Sequence, residues 1–440
     1  MPFRSSVEHN AHTVKHKNNV RTRFAHFFYR GLVGEKITGI DMVTMGIHFY
    51  KADAVINCSG GPGYIYGKTP NSFINVGSVN SILFQQGAKY ANAEFIQFHP
   101  TAIPGADKLR LISESVRGEG GRLWTYKDNK KWYFLEEWHP EYGNLVPRDI
   151  ATRAIFKVCT EMGLGIDGKN QVHLDITHLD PVKMEIKLGG VLDIYRKFAG
   201  EEPTQVPMKV YPSYHYSMGG VWVDPDQQTN IKGLFAAGEC DYQYHGANRL
   251  GANSLLSCIF SGMKSGRECC KYVNHPDKKT DDIKTALFEN AKKIEVERFN
   301  TIFKMNGSEN PYEIHRQLGE LMSTNVFVVR NNDTLLKTDE TLKELLERHK
   351  HIKLLDESMS SNNTALFINQ LRCMIVLARV ITVSALHRNE SRGAHYKPEF
   401  PERNDKDWLK TSIAVYKNGG INIEYEEIDV QHIKPVLRAY

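Results

Sequence analysis

Two neighbouring stretches decide the fold: GLFAAGE at residues 233–239 and HGANRLGANSLL at residues 245–256. The first is a short apolar run that ends in glycine, which is typical of a buried strand. In the second, Asn253 and Ser254 are residues that can cap a helix, and the helical pattern continues to about Tyr272. The pair predicts a buried strand, a polar loop and a long helix, in that order.

The point where this strand gives way to the helix has the features of a cofactor site. A glycine at position 238 lets a flat ring or a phosphate approach the backbone, because it has no Cβ atom. Glu239 can accept hydrogen bonds from ribitol or ribose hydroxyls, and the helix that begins near Ser254 directs its positive end towards this point. Glycines before a helix are also common for purely structural reasons, so both interpretations stay open here.

A second glycine-rich match is a structural turn by its position. GLGIDG at residues 163–168 fits G-x-G-x-x-G, but it follows a predicted helix over residues 148–162 and precedes a predicted strand at 172–174. A dinucleotide loop needs the opposite order, because the helix N-terminus must face the pyrophosphate. We therefore predict that this stretch ends a helix and binds no nucleotide.

Composition is that of an ordinary globular protein. Of 440 residues, 41% are hydrophobic and 24% are charged, which suits about two to four domains. There is no run of 18 or more apolar residues, so the sequence predicts no transmembrane helix. The net charge of +5 is mild and gives nucleic-acid binding no support. The seven cysteines lack metal-ligand spacing, so we expect reduced thiols and no electron-transfer cluster in this chain.

The first part of the chain has the pattern of strands. Residues 37–44 and 46–50 are typical of a β-hairpin, and an apolar run at 54–56 follows. This run leads into a glycine-rich turn at residues 58–63.

The two ends of the chain differ from this pattern. The first 24 residues are basic and polar, which predicts a disordered or unrelated start, with an organellar transit segment as the weaker interpretation. After about residue 280, long Lys/Glu/Leu patterns indicate a mainly helical region, and a turn-rich tail follows Ser391.

A further group of side chains is suited to binding a small dianion. His99 lies in QFHPT (residues 97–101), and His215 lies shortly before a pair of glycines. Arg148 begins a predicted helix, where a cation opposes the helix dipole, which favours a role in binding an anion. Together with Arg249, these side chains can bind two carboxylates through charge-assisted hydrogen bonds, each worth roughly 1.5–3 kcal/mol.

Structural alternatives exist for some of these residues. Alone, His99 would more often be a core histidine than a ligand contact. Glu114 and Arg117 are three residues apart, so they could form only a local ion pair. No motif for nucleophilic catalysis competes, and the residue types suit redox chemistry on a dicarboxylate better than hydrolysis.

Several motifs, in the same order, resemble those of succinate dehydrogenase and fumarate reductase flavoproteins. They extend over roughly residues 37 to 415 and include QFHPT (97–101), SESVRGEGG (113–121), RD (148–149), HYSMGG (215–220), HGANRLGANSLL (245–256) and RGAHYKPEFPERND (392–405). The sequences of residues 108–111 and 144–149 are similar to those of the family's bacterial branch found in Gram-positive and related bacteria.

The resemblance implies a role for each matching position. Arg148 would donate or accept the proton at the substrate, with Glu114 and Arg117 as its relay. Substrate contacts would come from His99, Ser113, Glu114, His215 and Arg249. Contacts to FAD would come from Gly60, Gly61, Ser78, Gly238, Glu239, Asn248, Ser254 and Leu255.

The resemblance also implies a direction-dependent role for the arginine. In the succinate direction, hydride would leave one methylene carbon for flavin N5 while Arg148 takes a proton from the other. A free guanidinium stays protonated up to about pH 12. Arg148 could therefore act as a base only if the relay and the low-dielectric site lower its proton affinity, whereas acting as an acid towards fumarate is easier.

Three features depart from the family pattern. Ser113 stands where many relatives have Thr, and Ser78 stands where some have an Asp that contacts FAD. The family's first strand, G-x-G-x-x-G loop and helix have no match, and neither does the His that links covalently to FAD. His12 lies in a similar tripeptide but lacks the residues that should follow it. The chain is therefore expected to begin inside the family's first domain, without the attachment site.

The expected fold is α/β, with an unrelated or disordered start at residues 1–24. A partial, Rossmann-like FAD-binding domain (25–90 and 225–275) would hold an inserted capping substrate domain (91–224). A helical C-terminal domain with a tail would follow (276–440). We expect the active site between the first two domains.

The expected activity is FAD-dependent interconversion of succinate and fumarate. Electrons would pass to an iron–sulfur subunit and through it to a membrane anchor with quinone. That would place the chain in the cytoplasm, peripheral on the inner face of the plasma membrane. Two alternatives stay open: an enzyme like L-aspartate oxidase, and a catalytically incompetent fragment. The fragment would leave apolar sheet edges and helix faces uncovered and would be poorly soluble.

Overall fold

The computed structural model describes residues 13–15, 21–28, 36–242, 244–275 and 284–436. The strands in these ranges are β1 (Thr13–Lys15), β2 (Arg21–Phe28), β3 (Lys36–Asp41), β4 (Ile47–Lys51), β5 (Val55–Asn57), β6 (Tyr90–Ala91), β7 (Ile96–Ile103), β8 (Arg110–Leu111), β9 (Arg122–Lys127), β10 (Lys130–Trp132), β11 (Val172–Asp175), β12 (Met208–Ser217), β13 (Gly220–Val221), β14 (Leu234–Ala236), β15 (Lys410–Lys417) and β16 (Gly420–Glu427). The α-helices are α1 (Ser78–Gln85), α2 (Ser115–Gly118), α3 (Phe134–Trp138), α4 (Arg148–Phe156), α5 (Pro181–Ala199), α6 (Asn253–Asn274), α7 (Thr285–Phe303), α8 (Pro311–Asn325), α9 (Asn332–Arg348), α10 (Asn363–His387) and α11 (Asp405–Trp408).

The apolar run that ends at Gly238 forms the predicted buried strand. This strand, β14, pairs in parallel with β5, and Phe235 lies opposite Ile56. All three residues of β14 are buried. The polar loop and the helix α6 follow in the predicted order, so the turns after β5 and β14 open at the same edge of the pair.

The start of α6 differs from the prediction in one respect. The residue that precedes the helix is Ala252, which has a left-handed backbone (φ 64°), and no side chain caps the helix. Asn253 and Ser254 are therefore the first residues inside the helix, and the prediction that they cap it is wrong. Because the chain turns through the left-handed region at Ala252, the first N–H groups of α6 have no side-chain acceptor.

A six-stranded antiparallel sheet supplies the strands that carry the predicted histidines. Its order is β10-β9-β11-β12-β7-β8. All eight residues of β7 are buried, because this strand lies inside the sheet with α4 against it. On the same layer, α5 buries Met184, Leu188 and Leu192. This layer is the frame on which the site is built.

The glycine-rich turn at residues 163–168 ends a helix, as predicted. The helix α4 continues as one wider turn at Lys157–Glu161, and Gly163 then has a left-handed φ of 67°. A short 3₁₀ turn at Ile166–Gly168 then leads into β11. The order helix, turn, strand is confirmed, and it is the wrong order for a nucleotide loop.

The N-terminal part of the described chain is a four-stranded antiparallel sheet of β1 to β4. The predicted hairpin is present as β3 and β4, with Gly39 opposite His48. Of the first 24 residues, 13–15 and 21–24 lie in strands β1 and β2, and the rest, including His12, lie outside the described residues. The expectation of an unrelated or disordered start stays a prediction.

The predicted helical region is present as α7 to α10. By length and composition, α10 is the one described helix that could cross a membrane, with a mean hydropathy of 1.7 over 18 residues. However, 78% of that window is buried inside the protein. Arg372 and Arg379 interrupt the apolar run and donate hydrogen bonds to Gln85 and Asp339. The packing of α10 is that of a core helix.

The tail contains a β-hairpin that the sequence analysis missed. The strands β15 and β16 pair along their whole length, and β15 also pairs with β6. The turn between them is formed by Asn418 and Gly419, which have positive φ angles of 52° and 77°. Asn-Gly between alternating apolar positions is a strong hairpin signal, so these two strands within the turn-rich tail could have been predicted from the sequence.

Buried ion pairs attach the segment after α10 to the rest of the protein. The Nε atom of Arg388 lies 2.5 Å from an oxygen of Glu94, and neither side chain is more than 1% exposed. Arg388 and Arg392 both contact the buried Glu390, at 2.9 Å and 2.7 Å. The hydroxyl of Ser412 also donates to Glu94. Segments distant in sequence are thus held together by ion pairs whose carboxylates are fully buried.

We expect Glu94→Gln to lower the free energy of unfolding by about 3–5 kcal/mol, because it breaks a fully buried ion pair of Arg388, which must then share Glu390 with Arg392. The matched control is Glu320→Gln, which breaks an exposed ion pair with Arg316 and should cost no more than about 1 kcal/mol. Urea unfolding of both variants measures the difference. Equal small losses would show that the buried pair does not stabilise the fold.

One face of α6 carries uncovered apolar side chains. We call it the α6 apolar face, and its members are each more than half exposed: Leu255, Leu256, Ile259, Phe260 and Met263. Contiguous apolar surface of this kind favours association in water. The α6 apolar face is therefore a candidate surface for self-association.

Replacing Ile259 and Met263 together by Ser should reduce self-association of the chain, because it removes apolar area from the α6 apolar face. Sedimentation velocity at several protein concentrations measures this. The control is Leu355→Ser, which changes a single exposed leucine (82%) elsewhere on the surface. If the double variant associates as strongly as the control, the face does not cause association.

Candidate active site

The two predicted histidines meet on the neighbouring strands β7 and β12. The ring centroids of His99 and His215 are 5.0 Å apart. The backbone N–H of Thr101 donates to Nδ1 of His99 at 3.3 Å, so Nε2 carries the proton of the neutral ring. Burial lowers the pKa of both rings, and nearby positive charge lowers it further, to about 3 for His215. Both histidines are therefore neutral hydrogen-bond donors near pH 7.

A carboxylate shared by two arginines lies beside them. One oxygen of Glu114 accepts a hydrogen bond from Arg148 at 2.9 Å, and the other accepts one from Arg117 at 2.8 Å. The side chain of Arg117 is 2% exposed and also donates to the carbonyl groups of Asn144 and Val146. Its pKa is lowered by burial. The three side chains form a continuous row from the protein interior to Arg148.

Arg148 occupies the first position of α4, directly after Pro147. Its Nη1 atom donates to the side-chain oxygen of Gln97 at 3.1 Å, and its Nε atom contacts Glu114. These two acceptors fix the orientation of the guanidinium group. Neither acceptor uses Nη2, so this nitrogen remains as the donor with which Arg148 can reach a ligand.

Arg249 brings a further positive charge to the same place. It is 3% exposed, and its guanidinium group lies 4.7 Å from the centroid of the Tyr216 ring. Its Nε atom is buried without a hydrogen-bond partner, and burial lowers its pKa, with Arg148 adding to the effect. A Cβ atom on Gly251 would lie 3.1 Å from Glu114, so the loop after Arg249 passes close to the shared carboxylate.

Asn248 belongs to the same network. Its side-chain nitrogen donates to Asp149 at 3.0 Å, and its oxygen accepts from Gln97 at 3.2 Å. Gln97 also donates to the backbone carbonyl of Arg249 at 2.6 Å. The structure thus places Asn248, which was predicted to contact a cofactor, among the side chains that hold Arg148 and Arg249.

Two further residues of the site, Gln97 and Asp149, were not predicted from the sequence. Both stand beside residues that were singled out, in QFHPT and in the pair Arg148-Asp149. Asp149 also forms an ion pair with Arg153 at 2.9 Å, four residues along the helix. An acid and a base at that spacing, next to Arg148, were a signal that could have identified Asp149 and Arg153. No such signal marks Gln97.

Ser113 lies immediately before Glu114. Its hydroxyl oxygen interacts with the backbone N–H of Ser115 at 3.3 Å and with the Ser115 hydroxyl at 2.8 Å. It is therefore part of the turn that begins α2, and its contact with a substrate stays a prediction.

The turns after β5 and β14 form a second part of the site. Glu239 is half-buried, and its Oε1 atom accepts hydrogen bonds from the Ser217 N–H at 3.0 Å and the Tyr214 hydroxyl at 3.3 Å. Burial raises its pKa to about 7. A Cβ atom on Gly61 would lie 2.2 Å from this oxygen, so any side chain there would displace the Glu239 carboxylate. The backbone of Gly60 is open, with no atom within 4 Å of a Cβ built on it.

This second part suits the cofactor that the sequence suggested. The hydroxyl oxygen of Ser78 is buried and has no hydrogen-bond partner, so it is a polar atom available to a bound group. Gly238 has a positive φ of 85°, which favours glycine. Ser254 and Leu255 lie in the first turn of α6, where Leu255 is 74% exposed. Uncapped helix N–H groups, an unpaired hydroxyl and open glycines together fit a flavin nucleotide.

Comparisons with known proteins agree with this arrangement. Residues 7–255 match the family described as FAD binding domain, and residues 315–440 match the family described as fumarate reductase flavoprotein C-term. The succinate dehydrogenase flavoprotein subunit of Bacillus subtilis (strain 168) is 57% identical over 413 residues, which cover 93% of this chain and 70% of that protein. The fumarate reductase flavoprotein subunit of a Serratia species is 32% identical, covering 93% and 69%.

A solved structure of a Glu-to-Gln variant of Escherichia coli quinol fumarate reductase superposes with a TM-score of 0.88 at 29% identity. The match covers 95% of this chain and 72% of that one. The α/β fold and its order of elements are therefore shared with a fumarate reductase flavoprotein. The chain belongs to the succinate dehydrogenase and fumarate reductase flavoprotein family, and it is an FAD oxidoreductase.

Proposed function

We propose that this chain interconverts succinate and fumarate, with Arg148 transferring the proton and Glu114 and Arg117 supplying it. The observation that carries the proposal is the shared carboxylate of Glu114, hydrogen-bonded to both arginines beside Arg249 and the two histidines. These hydrogen bonds connect Arg148, the proposed proton donor, through Glu114 to the buried guanidinium group of Arg117, which carries exchangeable protons.

The charges of the site suit a small dianion. Three arginines face one glutamate, and the two histidines add no charge because both are neutral. Two positive charges are therefore uncompensated, which matches the two carboxylates of the substrate. Arg249 and the neutral histidines would bind the carboxylates, each charge-assisted hydrogen bond contributing about 1.5–3 kcal/mol. The predicted contacts of His99, Ser113, Glu114, His215 and Arg249 form this part of the proposal.

The proton would come from the guanidinium group of Arg148. In the fumarate direction, Arg148 gives a proton to one substrate carbon, and Glu114 transfers a replacement from Arg117. The buried position of Arg117 supports this, because a guanidinium with a lowered pKa releases a proton more readily than one in water. In the succinate direction the same atoms work in reverse, which requires Arg148 to lose a proton first.

FAD, when bound, supplies or accepts the hydride. We propose that Gly60, Gly61, Ser78, Gly238, Glu239, Ser254 and Leu255 hold it, with Asn248 acting from the substrate side. Because burial raises the pKa of Glu239 to about 7, this carboxyl can donate as well as accept a hydrogen bond near neutral pH. The glycines allow close approach of the backbone.

Further proposals concern partners and location. The relatives are named as flavoprotein subunits, and the solved relative is named as a quinol fumarate reductase. These names support a separate iron–sulfur subunit that receives the electrons and passes them to quinone at a membrane anchor. The chain would then lie in the cytoplasm, peripheral on the inner face of the plasma membrane.

The first experiment is the visible spectrum of the purified chain supplied with FAD, before and after acid precipitation. We expect flavin absorbance that acid releases into the supernatant. Flavin retained in the pellet would indicate covalent attachment, and absence of protein-bound flavin would favour the incompetent fragment.

Arg148→Lys should lower kcat for dye-linked fumarate reduction by about 10²- to 10⁴-fold, the usual contribution of a general acid. Lys retains the charge but cannot contact Glu114 and Gln97 together. The control is Arg122→Lys, which changes an arginine of strand β9 that forms an ion pair with Glu136 of α3. Equal rates in both variants at equal flavin content would exclude Arg148 as the proton donor.

The stability of the chain should depend on pH through His215. Because the folded pKa of His215 is about 3, below the ordinary value of 6.5, the unfolded chain binds a proton that the folded chain does not. The free energy of unfolding therefore falls as the pH falls through this window, by about 2 kcal/mol between pH 7 and pH 5.

This pH dependence is measured by urea unfolding of the wild type and of His215→Asn at both pH values. The variant should lose less stability on acidification than the wild type. The control His432→Asn, at an exposed position, should keep the wild-type dependence. An unchanged pH dependence in His215→Asn would show that this ring is not held neutral by the fold.

A further inference from the structure

The segment that follows α10 contacts the loop that carries Asn248 and Arg249. We call residues 388–396 the C-terminal strap. The backbone N–H of Ala394 donates to the carbonyl of Ala247 at 2.9 Å. Ala394 and Ala247 both pack against a small apolar cluster that includes Tyr216, the ring beneath Arg249. The strap therefore lies directly behind the two residues of the site.

Gly393 makes the closest approach between the strap and the loop. Its φ angle of 57° is in the left-handed region. A Cβ atom at this position would lie 2.3 Å from the carbonyl oxygen of Ala247 and 2.9 Å from its Cβ atom. Any side chain at position 393 must therefore push the loop away, and Ala247 is the residue immediately before Asn248.

Arg153 connects the strap to the other side of the site. One of its nitrogens donates to Asp149 at 2.9 Å and to the carbonyl of Gly393 at 3.3 Å. Asp149 in turn accepts the hydrogen bond from Asn248. The guanidinium group also lies 5.1 Å from the Tyr396 ring, within the strap. The helix of Arg148, the strap and the loop of Arg249 are thus joined at one ion pair.

The strap itself is fixed independently of the site. His395 interacts with the buried Arg330 at 2.9 Å and with the carbonyl of Arg388 at 3.1 Å. Arg388 and Arg392 are held by the buried carboxylates described above. Because the strap is rigid, a larger side chain at position 393 must move the loop that contains Ala247 rather than the strap.

We propose that the C-terminal strap, acting through Gly393 and Arg153, positions Asn248 and Arg249 for binding of the dicarboxylate. This inference rests on the proposed function of the site. Gly393 and Arg153 are positioning residues, since neither is placed in contact with substrate or cofactor. Their loss should weaken dicarboxylate binding more than it slows the proton transfer, because Arg148 keeps its own contacts with Glu114 and Gln97.

The test is Gly393→Ala, compared with Gly419→Ala. Both glycines have positive φ angles, so the backbone strain is matched, but a Cβ atom at Gly419 meets nothing within 4 Å. We expect Gly393→Ala to raise KM for fumarate about tenfold or more in the dye-linked assay, with kcat changed less than threefold. Gly419→Ala should leave both constants within about twofold of the wild type.

A second pair of variants covers the case in which Gly393→Ala does not fold. Arg153→Lys keeps the ion pair with Asp149 and should raise KM only a few-fold, whereas Arg153→Gln should raise it at least tenfold. A purely structural role would lower the melting temperature without changing KM, and that result would overturn the proposal. So would equal KM values for the Lys and Gln variants.

Two failures are distinguishable in these experiments. If the wild-type chain with bound FAD reduces no fumarate and malonate does not raise its melting temperature, the proposed function is wrong. If the wild type is active and both Gly393→Ala and Arg153→Gln retain its KM, the proposed function stands and the positioning role is wrong.

Discussion

The carboxylate of Glu114, shared between Arg117 and Arg148, is the interaction on which the site depends. Without it, three guanidinium groups would repel one another in a place from which water is largely excluded, and the cost would be paid by the fold. With it, one charge is neutralised and Arg148 is oriented, and the same two hydrogen bonds form the proton path of the proposed function. Two positive charges remain, which is the number that a dicarboxylate needs.

Each part of the protein holds one member of this arrangement. The inner strands of the six-stranded sheet fix the histidines, and the first turn of α4 fixes Arg148. The loop of Arg249 has no regular structure, so its position comes from Gln97 on one side and the C-terminal strap on the other. The strap is rigid because Arg388 is paired with Glu94 and Glu390, whose side chains are fully buried and cannot exchange this arginine for water. The position of the loop of Arg249 thus depends on ion pairs that lie outside the candidate site.

Much of this could be predicted from local patterns, and the exceptions share a cause. The strand at 234–236, the helix after it, the hairpin of β3 and β4 and the helix-ending turn at Gly163 follow from short-range periodicity and glycine placement. The roles of Asp149, Arg153 and Gly393 could not be predicted, because each depends on a contact between segments distant in sequence. The prediction that Asn253 and Ser254 cap α6 was wrong, because the chain turns through the left-handed region at Ala252. The hairpin of β15 and β16 was not predicted, although Asn418-Gly419 is a typical hairpin turn.

The contact between Arg153 and Gly393 joins residues 240 positions apart. During synthesis, the sheet and α4 can form while the strap is still inside the ribosome, but the loop of Arg249 then lacks its support. A contact between residues so far apart in sequence forms slowly and late, because the chain loses the entropy of loop closure before the contact stabilises it. A chain that stops before the C-terminal strap would keep the contact between Arg148 and Glu114, but the loop of Arg249 would lack its support. Under the proposed function, the dicarboxylate could then bind well only after the strap has been synthesised and has docked.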